Sequence, residues 1–130
     1  MQFPEGWVQR GSGSDVTLQD KNNLVHIVVR RGTAPNAAAV AQALAREKRA
    51  TPSLQAAAPS SVTVAGRPAI KISYSTESAA NPVTGKRVLL LVDRYVVPGA
   101  GRYAVADLGT PKGVDNVDAY RMMVGSFRWR

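Results

Sequence analysis

The chain has no cysteine and only one histidine, His26, so several catalytic chemistries lack the side chains they need. Without cysteine there can be no disulfide, no thiolate nucleophile and no sulfur-ligated zinc. His26 lies in an aliphatic run and has no second histidine or cysteine to complete a metal site. The Gly-x-Ser-x-Gly motif of many serine hydrolases is also missing. We therefore predict that His26 is a core or sheet-face residue, that the protein is not an enzyme, and that it holds no metal or cofactor.

Long apolar runs are missing as well. The longest, residues 88–92, is far shorter than the roughly 20 residues that span a bilayer. Because 45% of the residues are hydrophobic and 20% are charged, the composition is that of a globular protein and excludes a disordered or fibrous chain. A length of 130 residues fits one domain, so we predict a single domain over residues 1–130.

Acidic residues are scarce relative to basic ones. The chain has 17 Lys and Arg against 9 Asp and Glu, and its formal net charge of +8 favours anionic partners. The basic residues do not form one tract, so a generally basic, solvated surface is the alternative to a binding patch. Scattered aromatics argue against nucleic acid as a partner, because single-strand binders stack bases on an open basic sheet. The candidate binding residues are Arg30, Arg31, Arg46, Lys48, Arg49, Lys71, Arg94 and Arg102.

Turn residues divide much of the chain into short strand-like runs. Residues 16–18 and 24–29 flank a polar turn and predict a hairpin, in which both faces of the second strand are apolar. Short connections between the later runs imply antiparallel neighbours. Residues 88–92 are apolar on both faces and predict a central strand. The later predicted strands are residues 62–64, 69–76, 88–97 and 103–108.

Two segments have the residue spacing of an amphipathic helix. Residues 35–49 are rich in Ala, the best helix former, and end in basic residues that oppose the helix dipole. Residues 114–124 follow a Pro-Lys-Gly break and predict a second helix, capped by Asp115 or Asn116. Between and around these elements we predict a flexible turn at residues 11–14, a loop over 53–61, and an edge strand or an aromatic return at 126–129.

One charged step interrupts the apolar run at residues 88–97. Asp93 and Arg94 lie inside a predicted central strand, where a charge needs a partner. We predict a cross-strand pair with Lys71 or Arg102, and a ligand-reading site is the alternative. The other notable carboxylates fall at turns and at the predicted helix start, where they cap or end elements: Asp15, Asp20, Asp115 and Asp118.

Three stretches of the chain resemble the PsbP-like superfamily. They are residues 3–7 (Phe-Pro-Glu-Gly-Trp), residues 66–69 (Gly-Arg-Pro-Ala) and the closing residues 116–127. The resemblance implies an α+β fold: a single-domain α/β/α sandwich with a central, mostly antiparallel sheet flanked by helices. Members include extrinsic photosystem subunits, small bacterial lipoproteins of the LpqN type, and a nuclear-transport cofactor that binds a small GTPase. The matching positions are structural ones, so the resemblance assigns no functional residue to this chain.

The predicted fold and the missing catalytic residues together favour a non-catalytic binding or assembly domain. The resemblance and an Ala- and Arg-rich composition similar to that of high-GC bacteria favour an extracytoplasmic or membrane-tethered protein of the cell envelope over a cytoplasmic one. We expect another protein as the partner. Two alternatives stay open, namely a basic surface for acidic lipid headgroups or polyanions, and a small-molecule carrier with a pocket between helix and sheet. A deep polar cavity in which His26 meets a serine or an acid would contradict the non-catalytic expectation.

Overall fold

The computed structural model describes most of the chain. The described residues are 8–12, 15–20, 23–50, 54–64, 66–77, 83–85, 87–111, 120 and 123–124. Within these ranges the elements are β1 (Val8–Ser12), β2 (Asp15–Asp20), β3 (Asn23–Arg31), α1 (Ala37–Ala50), β4 (Gln55–Ala56), β5 (Ser60–Val64), β6 (Arg67–Glu77), β7 (Leu89–Pro98) and β8 (Arg102–Pro111).

The eight strands form one sheet in the order β1-β2-β3-β8-β7-β6-β4, and β5 pairs with β6 beside this path. Every strand pairing is antiparallel, as the short connections predicted. In the sequence, α1 and strands β4 to β7 lie between β3 and β8. In the sheet, β3 and β8 are nevertheless direct neighbours. This arrangement makes β3, β8 and β7 the middle of the sheet.

Helix α1 begins where the sequence changes from β-branched to Ala-rich. The Ala39 backbone N–H donates to Asn36 Oδ1 at 2.9 Å, so Asn36 caps the first turn. Val40 and Leu44 are buried against the sheet, while Lys48 and Arg49 in the last turn oppose the negative end of the helix dipole. The helix predicted over residues 35–49 is confirmed.

Side chains alternate between the two faces of the sheet, and each face has its own core. We call the side that carries α1 the helix face, and the other side the opposite face. The core of the helix face comprises Val40, Leu44, Leu54, Ile72 and Val96. The core of the opposite face comprises Leu18, Val25, Val64, Ala69, Val97, Ala104, Ala106, Leu108 and Met123.

The prediction of an α/β/α sandwich is wrong, because the sheet dominates the described residues and α1 covers one face only. On the opposite face β6 carries Lys71, Ser73 and Ser75, polar side chains that need no helix above them. Met123 is buried there, and residues 120, 123 and 124 are helical. The rest of the predicted helix 114–124, with Asp115 and Asp118, lies outside the described residues.

The strand predictions at residues 16–18, 24–29, 62–64, 69–76, 88–97 and 103–108 are confirmed, and β7 lies inside the sheet as expected. Full cover of residues 88–92 is wrong, since Leu89 and Leu91 are 37% and 47% exposed. The loop predicted over 53–61 is wrong in part, because β4 and the start of β5 add edge pairs to β6 there.

Of the flexible turn predicted at residues 11–14, Gly11 and Ser12 instead end β1, and residues 13–14 lie outside the described residues. Residues 126–129 lie outside the described ranges. Among the described residues, no helix combines the length and the apolar character that crossing a membrane requires.

Candidate functional site

A groove of about 490 Å³ lies between α1 and the helix face of β3, β8 and β7. Its volume falls within the roughly 300–1,000 Å³ of typical small-molecule sites. The small side chains of Ala39 and Ala43 on α1 leave this space open above the sheet. The larger apolar lining residues are Val28, Pro35, Val40, Val96, Tyr103 and Val105. The polar lining residues are His26, Arg30, Arg46, Glu47, Arg94 and Asp107.

Strand register arranges the floor of the groove in three successive rows. We call them the outer row (Arg30 and Tyr103), the valine row (Val28, Val105 and Val96) and the charged row (His26, Asp107 and Arg94). At about 3.3 Å per residue, the outer and charged rows lie roughly 13 Å apart along β3. The groove is therefore polar at both ends and apolar between them.

The charged row centres on a two-point ion pair between Arg94 and Asp107. Arg94 Nε and Nη2 donate to the two carboxylate oxygens of Asp107 at 2.7 and 2.9 Å. Glu47 on α1 accepts from both terminal nitrogens of Arg94 at 3.3 Å. The Arg94 and Asp107 side chains are only 12% and 21% exposed, so the pair is held in one geometry and ties α1 to the sheet.

Tyr74 completes this network from β6. Its hydroxyl donates to Asp107 Oδ2 at 3.1 Å, and its ring centre lies 5.4 Å from Arg94 Cζ. Burial, and then the charge of Asp107, raise the pKa of Tyr74 above its usual value, although Arg94 acts in the other direction. Burial disfavours the charged form of Arg94, but the hydrogen bonds and charge of Asp107 outweigh it and raise the pKa of Arg94.

Replacing Tyr74 with phenylalanine tests this network through pH. At pH 7 the variant should be about 1 kcal/mol less stable, since it loses the hydrogen bond to Asp107. A tyrosine whose folded-state pKa is raised stabilises the fold fully below its unfolded pKa of 10.0 and loses that contribution as pH rises further. Wild type and variant should thus converge above pH 10 in urea unfolding. A gap that stays constant with pH would contradict this assignment, and Tyr103→Phe should match wild type at pH 7.

His26 lies on the helix face, as predicted, and shares the groove with the ion pair. Its Nε2 is 2.8 Å from Asp15 Oδ1, and the two side chains are 41% and 67% exposed. Asp15, predicted only to end a hairpin strand, thus has a second role. His26 also lies directly opposite Asp107 in the β3–β8 register. The one acid bonded to His26, Asp15, is not among the described lining residues of the groove, and the absence of catalysis stays a prediction.

The eight candidate binding residues divide between both faces of the sheet. Arg30, Arg46 and Arg94 line the groove. Lys48 and Arg49 are exposed at the end of α1, outside it. The remaining three, by strand alternation, belong to the opposite face: Arg31, Lys71 and Arg102. The structure therefore forms one partial cluster and no continuous basic patch among the described residues.

Asp93 pairs with Lys71 on the opposite face, which confirms that prediction. The distance from Lys71 Nζ to Asp93 Oδ2 is 3.8 Å, and the Ser73 hydroxyl donates to Asp93 Oδ1 at 2.6 Å. A second, more open cavity of about 600 Å³ lies here between β4, β6 and β7. Asp93 is the one charged residue among its described lining residues, so it offers fewer recognition groups than the groove.

Two groove residues have unused hydrogen-bonding capacity. Arg30 and Tyr103 are direct cross-strand partners on the helix face, and both line the groove. Neither side chain has a hydrogen-bonding or ionic partner in the part of the chain that the structure describes. Sequence analysis missed Tyr103, Glu47 and Asp107. The available signal for Asp107 was its position as the one charged residue inside the otherwise apolar or aromatic run 103–108.

Comparisons with known proteins show the fold alone. No family model and no curated protein matches the chain. A crystal structure from Bacteroides thetaiotaomicron VPI-5482 matches at a TM-score of 0.64 and 13% identity, over 100% of this chain and 44% of that one. The crystal structure of LpqN, involved in cell envelope biogenesis of Mycobacterium tuberculosis, matches at a TM-score of 0.50 and 20% identity, over 95% and 78%. This chain thus spans less than half the length of the Bacteroides protein.

Proposed function

We propose that this protein is a non-enzymatic binding domain of the bacterial cell envelope, which holds a small ligand in the groove between α1 and the sheet. The groove itself carries the proposal. It has the volume of a small-molecule site, an apolar middle, and polar groups at both ends. The bidentate Arg94–Asp107 pair and the Glu47 contact hold its walls in place without a ligand.

The envelope assignment is supported by the fold. LpqN, whose fold this chain shares at a TM-score of 0.50, is described as involved in cell envelope biogenesis. The resemblance of three sequence stretches to the PsbP-like superfamily, which includes LpqN-type lipoproteins, favours the same assignment. We accordingly propose a distant relation to LpqN-type proteins and a location outside the cytoplasmic membrane.

The distribution of basic residues favours ligand binding in the groove over adsorption to an anionic surface. A membrane or polyanion would meet one side of the molecule, whereas the candidate basic residues lie on both faces of the sheet. Arg94, moreover, is only 12% exposed and is already bonded to two carboxylates. Contact with another protein through the sheet edges stays the second candidate, because β1 lies at one end of the described sheet and β4 and β5 lie at the other.

Amide chemical shifts test the proposal directly. The labelled protein is titrated with a panel of soluble neutral, acidic and basic amphiphiles, disaccharides and short peptides. We expect at least one class to shift amides that cluster in β3, β8 and α1. Ala43→Trp places a bulky ring in the groove and should abolish those shifts, whereas Ala45→Trp, at an exposed position of the same helix, should not.

Ala39→Trp serves as a second blocking variant if Ala43→Trp lowers the melting temperature. Shifts that spread over the surface, or that survive in both blocking variants, would overturn the groove as the binding site. Turnover of a common ester, phosphoester or glycoside that is lost in His26→Gln would overturn the non-enzymatic part of the proposal.

A further inference from the structure

The groove has an asymmetry of charge that bears on the kind of ligand it takes. Its two lining carboxylates, Glu47 and Asp107, both bond to Arg94 in the charged row. At the other end, Arg30 of the outer row has no acidic partner in the described parts of the chain. Two carboxylates thus face one guanidinium at the charged row, whereas the outer row is left with a net positive charge.

The outer row also offers donors in a suitable geometry. Arg30 and Tyr103 occupy directly opposed positions on neighbouring strands, so their Cβ atoms lie about 5 Å apart. A guanidinium presents a fork of donors that matches a carboxylate or phosphate, and a phenol adds one more. Side by side and without other partners, the two side chains can bind one acidic group together.

Beyond this pair the groove turns apolar. The valine row follows on the sheet, and Val40, Ala39 and Ala43 face it from α1. The charged row then closes the far end roughly 13 Å away, with its charges already paired. An elongated apolar body fits between the two ends.

Resting on the proposed function, we infer that the ligand is an amphipathic acid. Its acidic head is bound by Arg30 and Tyr103, and its apolar body lies along the valine row beneath α1. The head is a carboxylate or a phosphate ester, which the same donors bind. Arg46, at the end of the groove where Glu47 bonds to Arg94, takes no part in binding the head.

Calorimetric titration with decanoate, decyl phosphate, decanol and decyltrimethylammonium varies the head group while the apolar chain stays nearly constant in length. The acids should bind at least about tenfold more tightly than decanol, since a charge-assisted hydrogen bond is worth that much. Arg30→Gln should abolish this advantage, and Tyr103→Phe should weaken the acids about fivefold. Two controls remove the same charge outside the groove: Arg31→Gln on the opposite face and Arg49→Gln at the exposed end of α1, each with an effect of about twofold or less.

Phosphatidylglycerol vesicles distinguish a membrane-borne from a soluble acid. Binding to vesicles that Arg30→Gln and Arg31→Gln weaken equally would overturn the inference in favour of a basic surface. Acids that bind no better than decanol would overturn the inference but leave the proposed function standing, provided that Ala43→Trp blocks decanol. If no member of this series shifts groove amides the inference fails, and if the disaccharides and short peptides of the panel shift none either, the proposed function fails with it.

Discussion

Replacing Asp107 with alanine should lower the free energy of unfolding by about 3 kcal/mol. The change leaves Arg94, 12% exposed, without the carboxylate that accepts two of its hydrogen bonds. Removing one partner of a buried ion pair costs roughly 3–5 kcal/mol because the other charge stays buried and uncompensated. Glu47 remains 3.3 Å from Arg94 and offsets part of the loss, so we expect the lower end of this range. Urea unfolding at pH 7 measures it.

Asp93→Ala is the matched control. Asp93 neighbours Arg94 in the same strand, but its side chain lies on the opposite face, is 42% exposed and contacts Lys71 at 3.8 Å. A half-exposed pair of this kind is worth about 1 kcal/mol or less, and loss of the hydrogen bond from Ser73 adds about 1 kcal/mol, so the total stays below the loss in Asp107→Ala. Equal losses of unfolding free energy in the two variants would show that the Arg94–Asp107 pair stabilises the fold no more than an exposed ion pair does.

Replacing both residues separates the free energy lost by leaving one charge buried alone from the stabilisation that the ion pair itself provides. In Arg94→Met with Asp107→Leu, both charges leave together and apolar groups fill the space. Buried ion pairs replaced in this way often lose nothing in stability, so the double variant should recover most of the loss seen in Asp107→Ala. If stability stays low, packing of the row and not its charge is the cause.

Elements formed by local patterns were predictable from the sequence, because local chemistry determines them. The Ala-rich segment with Asn36 before it predicted α1, and alternating apolar runs between turns predicted the main strands. β4 escaped prediction because it is two residues long and exposed, and so leaves no hydrophobic pattern. The second helical layer was expected from a family resemblance, and such a resemblance carries no information about the contacts within this chain.

The charged row could have been predicted only with the register of β7 and β8. Pro98 pairs with Tyr103 next to the turn that joins β7 and β8. Arg94 lies as far before Pro98 as Asp107 lies after Tyr103, so this register also places Arg94 opposite Asp107. A slip of one residue would move Asp107 to the other face, so a predicted turn without its geometry does not identify the pair. Here Gly101, at a φ of +65°, and the bond from Gly99 N–H to the Arg102 carbonyl fix that register.

The groove depends on contacts still more distant in sequence. Arg30 and Tyr103 are adjacent because β3 pairs with β8, and most of the chain separates these two strands in sequence. No local sequence pattern specifies β8 as the neighbour of β3. The spacing of Ala39 and Ala43 on one helical stripe was visible, but it predicts close helix packing as readily as a gap. Which of the two occurs depends on where Leu44 and Val40 anchor α1.

Leu44→Ala tests that anchor and should reduce the free energy of unfolding by about 3 kcal/mol. Leu44 is completely buried in the cluster with Ile72 and Val96. Truncating a buried leucine costs roughly 2–5 kcal/mol, since the lost transfer energy adds to that of the cavity left behind. Leu91→Ala is the matched control: the same change at a residue 47% exposed should cost about 1 kcal/mol or less.

The urea dependence of Leu44→Ala distinguishes two ways of losing that energy. If α1 stays docked around the cavity, the m-value equals that of wild type and only the midpoint falls, because the same surface is exposed on unfolding. If α1 detaches from the sheet before the rest unfolds, the m-value falls as well, and the groove opens with it. We expect the first result, since Val40 and the Glu47–Arg94 contact hold the helix on both sides of Leu44. A loss below about 1 kcal/mol would mean that α1 is not part of the core.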